Sequence, residues 1–374
     1  MFDVGGGHVG FRPGIESPTP RWYYSIMSVP RIVFRVDASL QIGSGHLMRC
    51  LTLADELRAS GASSVFVVRE QPGSLIELVV ERGHAVIRLT ESQRVDPGDD
   101  ARETREALGD LSVDWLIVDH YGLAASWERS LRDRIGKVMV IDDLANRSHD
   151  CDVLLDQNLR HDAQRRYAPL VPAHCRLLLG PRHVLLRKGF DQVPVRNWRR
   201  EPRRILIYMG GMDQYNQAGK ALAALGHVPD MHIDVVLGLG HPFAAEIHAM
   251  GKAQPRVCVM DAVADMAGIM TAADLGIGVC GMAAWERCAL ALPSLTCIIA
   301  ENQREDALEL DRIGAAKLVG DASQIQVGDW KSAIDEVIGD LSRLAVMAEV
   351  AQGVVAGHAK QRRDLIERLC AHGR

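Results

Sequence analysis

The sequence predicts an α/β protein made of two Rossmann-like halves with a ligand cleft between them. Three observations carry this. From Arg31 onward, short β-rich runs alternate with helical segments, the pattern of parallel sheets joined by crossover helices. Several runs are wholly apolar and close on a polar residue, as in Trp115–Asp119 and Val138–Asp142, the form of buried strands whose C-terminal ends bring polar groups to a crevice. An aperiodic stretch of Arg, Pro and Asn at about 187–204 then separates two such alternating units.

The elements follow in order. Residues 1–30 carry Gly5-Gly6-Gly7, four prolines and no usable period, and lack the basic start and apolar core of a secretory signal. They read as a disordered leader or a mis-annotated start, with Met27, four residues before the first strand, favoured as the true one. The first half, 31–190, has strands at Ile32–Val36, Ser64–Val68, Ala85–Leu89, Trp115–Asp119, Val138–Asp142 and Asp152–Leu155. Its helices fall at His46–Ala59, where Leu47, Cys50, Leu51, Ala54 and Leu57 share a face, and at Ser74–Arg82 and Ala101–Leu108. The second half, 203–374, has strands at Ile205–Met209, Ile233–Leu237, Val257–Met260, Leu275–Val279 and Leu295–Ile299. Helices alternate with them near Gln217–Leu225, Phe243–Gly251, Met266–Ala273, Ala284–Leu290 and Gln303–Ile313, and a closing helical stretch spans about 330–369.

Composition narrows the function classes. The 374 residues carry 43 Lys+Arg against 48 Asp+Glu, a formal charge of −5, so no global electrostatic case exists for a nucleic-acid partner. Hydrophobic residues make up 47%, enough to bury a sizeable core. The longest apolar region, Met266–Ala300, is interrupted by Asp274, Glu286 and Arg287, so no membrane span or membrane partner is expected. Eight cysteines without C-x-x-C spacing read as reduced core thiols of a cytoplasmic protein.

Candidate chemistry lies just after strands. In Asp37-Ala38-Ser39-Leu40-Gln41-Ile42-Gly43-Ser44-Gly45-His46, Gly43 and Gly45 allow close backbone approach to a ligand, and the following helix start offers free N–H groups. Met48 occupies the last glycine position of the dinucleotide fingerprint, which speaks against a nicotinamide cofactor; no cofactor is expected. His46, at a helix start where the dipole disfavours its charged form, suits a general base, the alternative being an ordinary helix-starting histidine. Asp119-His120-Tyr121 sits at a strand end, with capping as the plain reading of Asp119. Asp142-Asp143 and the His149/Cys151/Asp152 group lack the further ligands that a metal would require, so no metal is expected.

In the second half, Gly210-Gly211-Met212-Asp213 suits an anion-binding turn. Gly281 opens a helix in which Glu286 could accept hydrogen bonds from sugar hydroxyls; a solvated helix-start acid is the plain alternative. Glu301-Asn302-Gln303 follows the last clear strand, as a polar substrate contact or a helix cap.

Taken together, Arg35-Val36-Asp37, Ile42-Gly43-Ser44-Gly45-His46-Leu47-Met48-Arg49-Cys50, Asp119-His120-Tyr121, Ile141-Asp142-Asp143, Leu155-Asp156-Gln157-Asn158, Trp285-Glu286-Arg287-Cys288 and Glu301-Asn302-Gln303 resemble the UDP-2,4-diacetamido-2,4,6-trideoxy-β-L-altropyranose hydrolases of pseudaminic (nonulosonic) acid biosynthesis. The likeness covers about residues 31–320 in the right order. It implies a GT-B-like fold akin to the MurG-type glycosyltransferases and metal-independent release of UDP with inversion at the anomeric carbon. By the same resemblance His46 would activate water, Tyr121 and Asn302 would position water and sugar, and Glu286 would accept the ribose hydroxyls. Asp37, Gly43, Gly45, Gly210, Gly211, Asp213, Gly281 and Gln303 would belong to the substrate and nucleotide site.

One departure stands out. Members commonly carry hydroxyl residues after the glycines of both C-terminal turns; here Met212 and Met282-Ala283-Ala284 occupy those places. Each lost hydrogen bond to a charged group costs about 1.5–3 kcal/mol, leaving backbone N–H groups to hold the phosphates. Three readings stay open: a UDP-sugar hydrolase, a divergent GT-B glycosyltransferase using the same cleft, and a non-catalytic nucleotide-sugar binder. The oligomeric state is not legible.

Overall fold

The computed structural model describes residues 29–38, 45–92, 96–194, 202–211, 213–228, 230–238 and 240–371. The leader with Met27, the loop residues 39–44 with Gly43, and Met212 lie outside the described residues.

The first half runs β1 (Arg31–Val36), α1 (Gly45–Ala59), β2 (Ser63–Arg69), α2 (Ile76–Glu81), β3 (Ala85–Leu89), α3 (Pro97–Leu108), β4 (Val113–Asp119), α4 (Ala125–Leu131), β5 (Ile135–Ile141), β6 (Val153–Asp156), α5 (Ala163–Tyr167) and β7 (Arg176–Leu179). These strands form a seven-stranded sheet in the order β3-β2-β1-β4-β5-β6-β7, and every pairing is parallel. Both faces are covered, which is why Ile32-Val33-Phe34 at the middle of β1 is a continuous apolar run. Ile32, Phe34 and Val36 pack on the core under α1, while Val33 turns to the opposite core with Leu116, Val118 and Trp127.

The second half repeats the plan: β8 (Arg204–Tyr208), α6 (Gln217–Ala224), β9 (His232–Leu237), α7 (Ala244–Lys252), β10 (Val257–Asp261), α8 (Met266–Ala272), β11 (Leu275–Val279), α9 (Met282–Ala289), β12 (Ser294–Ile298), α10 (Arg304–Arg312) and β13 (Lys317–Asp321). Its six-stranded parallel sheet has the order β10-β9-β8-β11-β12-β13. In both sheets the order reverses beside the first strand, placing a switch point between β1 and β4 and another between β8 and β11. Ligands of open α/β sheets bind at such points.

Three closing helices follow: α11 (Val327–Ile338), α12 (Leu341–Val354) and α13 (His358–Cys370). The sequence reading gave all of them to the second half, and for α13 this is corrected. Leu365, Ile366 and Leu369 complete the core over α1 and the first sheet, so the chain crosses back to where it began. Buried Arg362 fixes the return by donating to Leu186 O (2.6 Å) and to Asp191 (2.6 Å) while pairing with Glu56 of α1 (2.8 Å). The two strands absent from the sequence reading, β7 and β13, are both sheet edges. Among the described residues no helix is long and apolar enough to cross a membrane. All eight cysteines are free thiols, and five of them are buried.

Candidate functional site

The C-terminal strand ends of both sheets meet across the cleft. Asn302, after β12, donates to the Tyr121 hydroxyl at 3.4 Å. Gln157, after β6, donates to the Met282 sulfur at 3.8 Å. Beyond them Arg160 pairs with Asp306 (2.8 Å) and Glu305 (2.8 Å) of α10, and the Leu159 N–H donates to Asp306 (2.9 Å). Tyr121 and Asn302 are thus brought together across the cleft.

His46 is the second residue of α1, beside the first switch point. Its Nδ1 lies 2.6 Å from Asp119 Oδ1 at the end of β4. Arg49, one turn further along α1, binds both oxygens of Asp119 at 2.6 Å each. Burial pushes the Asp119 carboxyl up, but the Arg49 charge and the His46 contact outweigh it and hold it below the ordinary carboxylate range. The carboxylate is therefore ionised, and the neutral tautomer that donates to it from Nδ1 has its lone pair on Nε2. Tyr121 packs its ring edge-on to the imidazole, with centroids 4.6 Å apart and an interplanar angle of 89°. Its phenol is pushed above the ordinary range by burial and by the Asp143 charge, so it stays a neutral hydroxyl. A cavity of about 150 Å³ opens here, lined by Asp37, His46, Asp119, His120 and Tyr121.

Two expected ligand groups have other work. Asp37 lines the cavity, yet its oxygens accept from Arg35 (2.6 and 3.0 Å) and the Arg69 N–H (2.8 Å), with His120 Nε2 at 3.2 Å. Burial raises its carboxyl, and Arg35 and His120 more than reverse that. Asp37 is the floor of the site, tied through Arg35 to Asp100 of α3 (2.6 Å). His120 is no second base, because its Nδ1 accepts from the Gly122 N–H (3.0 Å) and its Nε2 faces Asp37. Asp213 is fully buried, and its two oxygens accept from the Gln217 and Ala218 N–H groups (2.8 and 2.7 Å). It satisfies the first N–H groups of α6 beside the N-cap Asn216, and His241 Nε2 lies 3.5 Å away.

At the second switch point Gly210 has φ +77°, a left-handed conformation that glycine adopts without strain. Gly281 is the N-cap of α9, and the Gln303 amide lies 3.3 Å from where a Cβ on Gly281 would stand. Gln303 Oε1 is buried without a hydrogen-bond partner, an acceptor left open beside the helix start. Glu286, one turn into α9, is 9% exposed and pairs with Arg187 at 3.1 Å, so the solvated-acid alternative fails. Gly45, the first residue of α1, has open space where a side chain would stand.

Sequence reasoning missed the role of Asp119, which caps nothing, and that of Arg49. The available signals were an Asp closing a buried strand and an Arg three residues after His46 on the same helix face. Among the described residues, no group of three or more His, Cys, Asp or Glu side chains is placed to hold a metal ion. His149 instead pairs with Glu128 at 2.7 Å.

With this geometry in view, comparison with solved structures defines the architecture. MurG of Acinetobacter baumannii superposes with a TM-score of 0.63 at 16% identity, over 91% of this chain and 100% of that one. The spinosyn rhamnosyltransferase SpnG, complexed with thymidine diphosphate, gives 0.61 at 17%, over 91% and 100%. The chain has a GT-B-like fold, two Rossmann-like domains with a cleft between them. Among curated proteins, the uncharacterized protein MJ1062 of Methanocaldococcus jannaschii is 25% identical over 284 residues, 74% of this chain and 57% of that one. The UDP-2,4-diacetamido-2,4,6-trideoxy-β-L-altropyranose hydrolase of Campylobacter jejuni is 31% identical over 187 residues, 50% of this chain and 62% of that one. The chain therefore spans about three fifths of each of these relatives. No protein-family profile matches it.

Proposed function

We propose that this chain is an enzyme acting on a nucleoside-diphosphate sugar, a UDP-sugar in the first instance, with His46 as the base at the anomeric carbon. The observation that carries this is His46 itself. Its Nδ1 is anchored on ionised Asp119 and its Nε2 is left as an acceptor at a cleft between two Rossmann-like domains. In this reading Nε2 takes the proton of an incoming O–H as its oxygen bonds to C1. The C1–O bond to the β-phosphate breaks on the opposite face, which inverts the centre. The nucleoside diphosphate leaves with the bonding pair, its charge met by backbone N–H groups of the Gly210-Gly211 turn and the α9 start. Such a leaving group needs no second carboxylate acid. Tyr121 and Asn302 position the sugar and the nucleophile.

Transfer to an acceptor hydroxyl is the better supported outcome. The likeness to the rhamnosyltransferase runs over nine tenths of the chain, whereas that to the hydrolase covers half. Hydrolysis, with water as acceptor, is the second reading; the higher identity of the hydrolase and the shared motifs favour it. In that case the chain would serve nonulosonic acid synthesis.

The test is UDP release from a panel of UDP-sugars, with and without added sugar or lipid-linked acceptors. Transfer predicts release that depends on acceptor, hydrolysis predicts release in buffer alone, and both predict loss with His46→Ala. Tight UDP binding without turnover under any condition would reduce the chain to a binder and sink the enzyme reading.

A further inference from the structure

Residues at about 187–204 read in sequence as a linker, yet the segment entering it, through Phe190, is a built element. Val184, Leu185, Leu186 and Phe190 are buried, and Arg362 grips the segment at Leu186 O and Asp191. Arg187 projects from this fixed support. Its guanidinium lies 5.3 Å from the centre of the Phe190 ring and donates to Glu286 Oε1 at 3.1 Å. The pair spans the crossover and α9 of the second domain, at the mouth of the second switch point. Arg187 keeps a third of its side chain exposed, whereas Glu286 is almost wholly enclosed.

We propose that Arg187 is a positioning residue for nucleotide recognition, holding the enclosed Glu286 carboxylate in place and charged so that it can accept the hydroxyls of a bound ribose. This rests on the reading of Glu286 as the ribose acceptor. An enclosed carboxyl pays a desolvation cost in its charged form, and burial does push the Glu286 carboxyl above the ordinary range, with Arg187 as the main opposing influence. The other charged or titratable groups around Glu286 are Arg287 of its own helix and the Tyr208 hydroxyl at the end of β8. Arg287 is committed elsewhere, donating to Val279 O (2.8 Å) and Ser294 Oγ (3.0 Å). Removing Arg187 takes away the main influence opposing this rise, so the carboxyl would ionise less readily and lose part of its advantage toward a diol.

The experiment compares binding of UDP with 2′-deoxyUDP and 3′-deoxyUDP by calorimetry across pH, on the full chain. The wild type should prefer UDP by about tenfold or more, the worth of a hydrogen bond to a charged acceptor. Glu286→Gln should lose that preference at every pH. Arg187→Gln should weaken it and regain it as pH is raised, and Arg187→Lys should keep it throughout. A merely structural arginine would weaken all three nucleotides alike, with no pH-dependent recovery. An undiminished preference in a folded Arg187→Gln variant would overturn the proposal. If the wild type shows no preference, or Glu286→Gln retains it, the ribose reading itself falls, a result distinct from failure at Arg187 alone.

Discussion

At the scale of single residues, the site depends on one buried carboxylate serving two partners. Asp119 orients His46 and neutralises Arg49, so Asp119→Asn should act twice. An amide in that place can present its N–H to Nδ1, turning the imidazole to the tautomer whose Nε2 is protonated. Turnover of a UDP-sugar should then fall by about 10²–10⁴-fold, the usual worth of a general base. Stability should fall by about 3 kcal/mol, because buried Arg49 keeps only Asp143, at 3.5 Å, as a counter-charge. Steady-state kinetics beside a urea melt separate the two effects, and full activity in the variant would refute the dyad. A second residue-scale expectation concerns Asp156, whose Oδ1 accepts from the Asn158 N–H while Oδ2 has no hydrogen-bond partner. Burial pushes its carboxyl up to about 7, and that of Asp306 across the cleft likewise to about 7. A folded-state value raised above the unfolded one contributes stability that is complete below the unfolded value and lost as pH rises through the folded one. Asp156→Asn, which stays neutral, should therefore gain on the wild type by several degrees of Tm as pH is raised from about 5 to 8. Parallel melting curves for the two proteins would contradict this.

At the scale of elements, the glycine turn after β8 is buttressed by the chain just past β9. A Cβ on Gly238, just past β9, would stand 2.6 Å from Gly210 O and 2.6 Å from Gly211 Cα. Both are backbone atoms, so Gly238→Ala must shift the turn that would cradle the diphosphate, at about 1–3 kcal/mol of overpacking. Weaker UDP binding is expected, whereas Gly226→Ala, with nothing within 4 Å of the new methyl, should leave binding unchanged. Calorimetry on the pair decides it. The turn also shows what was legible in the sequence. Gly-Gly after an apolar run marked the place, because close backbone approach demands glycine, but the buttress sits 27 residues away and left no local trace. Strands β1, β4 and β8 could be read because burial on both faces gives each an uninterrupted apolar run, Ile32–Phe34, Trp115–Val118 and Ile205–Ile207. Strands β7 and β13 were not read: β7 has only four residues, and β13, Lys317-Leu318-Val319-Gly320-Asp321, has just two apolar ones. In the candidate site, Tyr121 and Asn302 stood out by residue type after strands, and His46 by its place at a helix start. Asp119 resembled a cap, and Arg187 a linker charge, because their meaning lies in partners 73 and 99 residues distant.

At the scale of the whole molecule, the chain passes between the domains twice, and both passages are tied at one point. The outward crossing contributes Leu186 O and Asp191, the return brings Arg362, and α1, which carries His46, adds Glu56. Helix α13 is thus the last piece of the first domain, and that domain cannot close its core until the second has been made. Leu369 is fully buried among α1 and first-sheet side chains, so Leu369→Ala should cost about 2–5 kcal/mol by leaving a cavity there. The location of the loss is the sharper expectation. Hydrogen exchange should accelerate first in β1, β2 and α1, some 300 residues earlier in sequence, and only later in β8, β9 and α6, whose core lacks Leu369. A closing helix owned by the second domain would give the reverse order. Because α1 carries His46, the proposed base, the same substitution should also lower turnover before it affects UDP affinity, which is the signature of a first domain loosened around an intact second one.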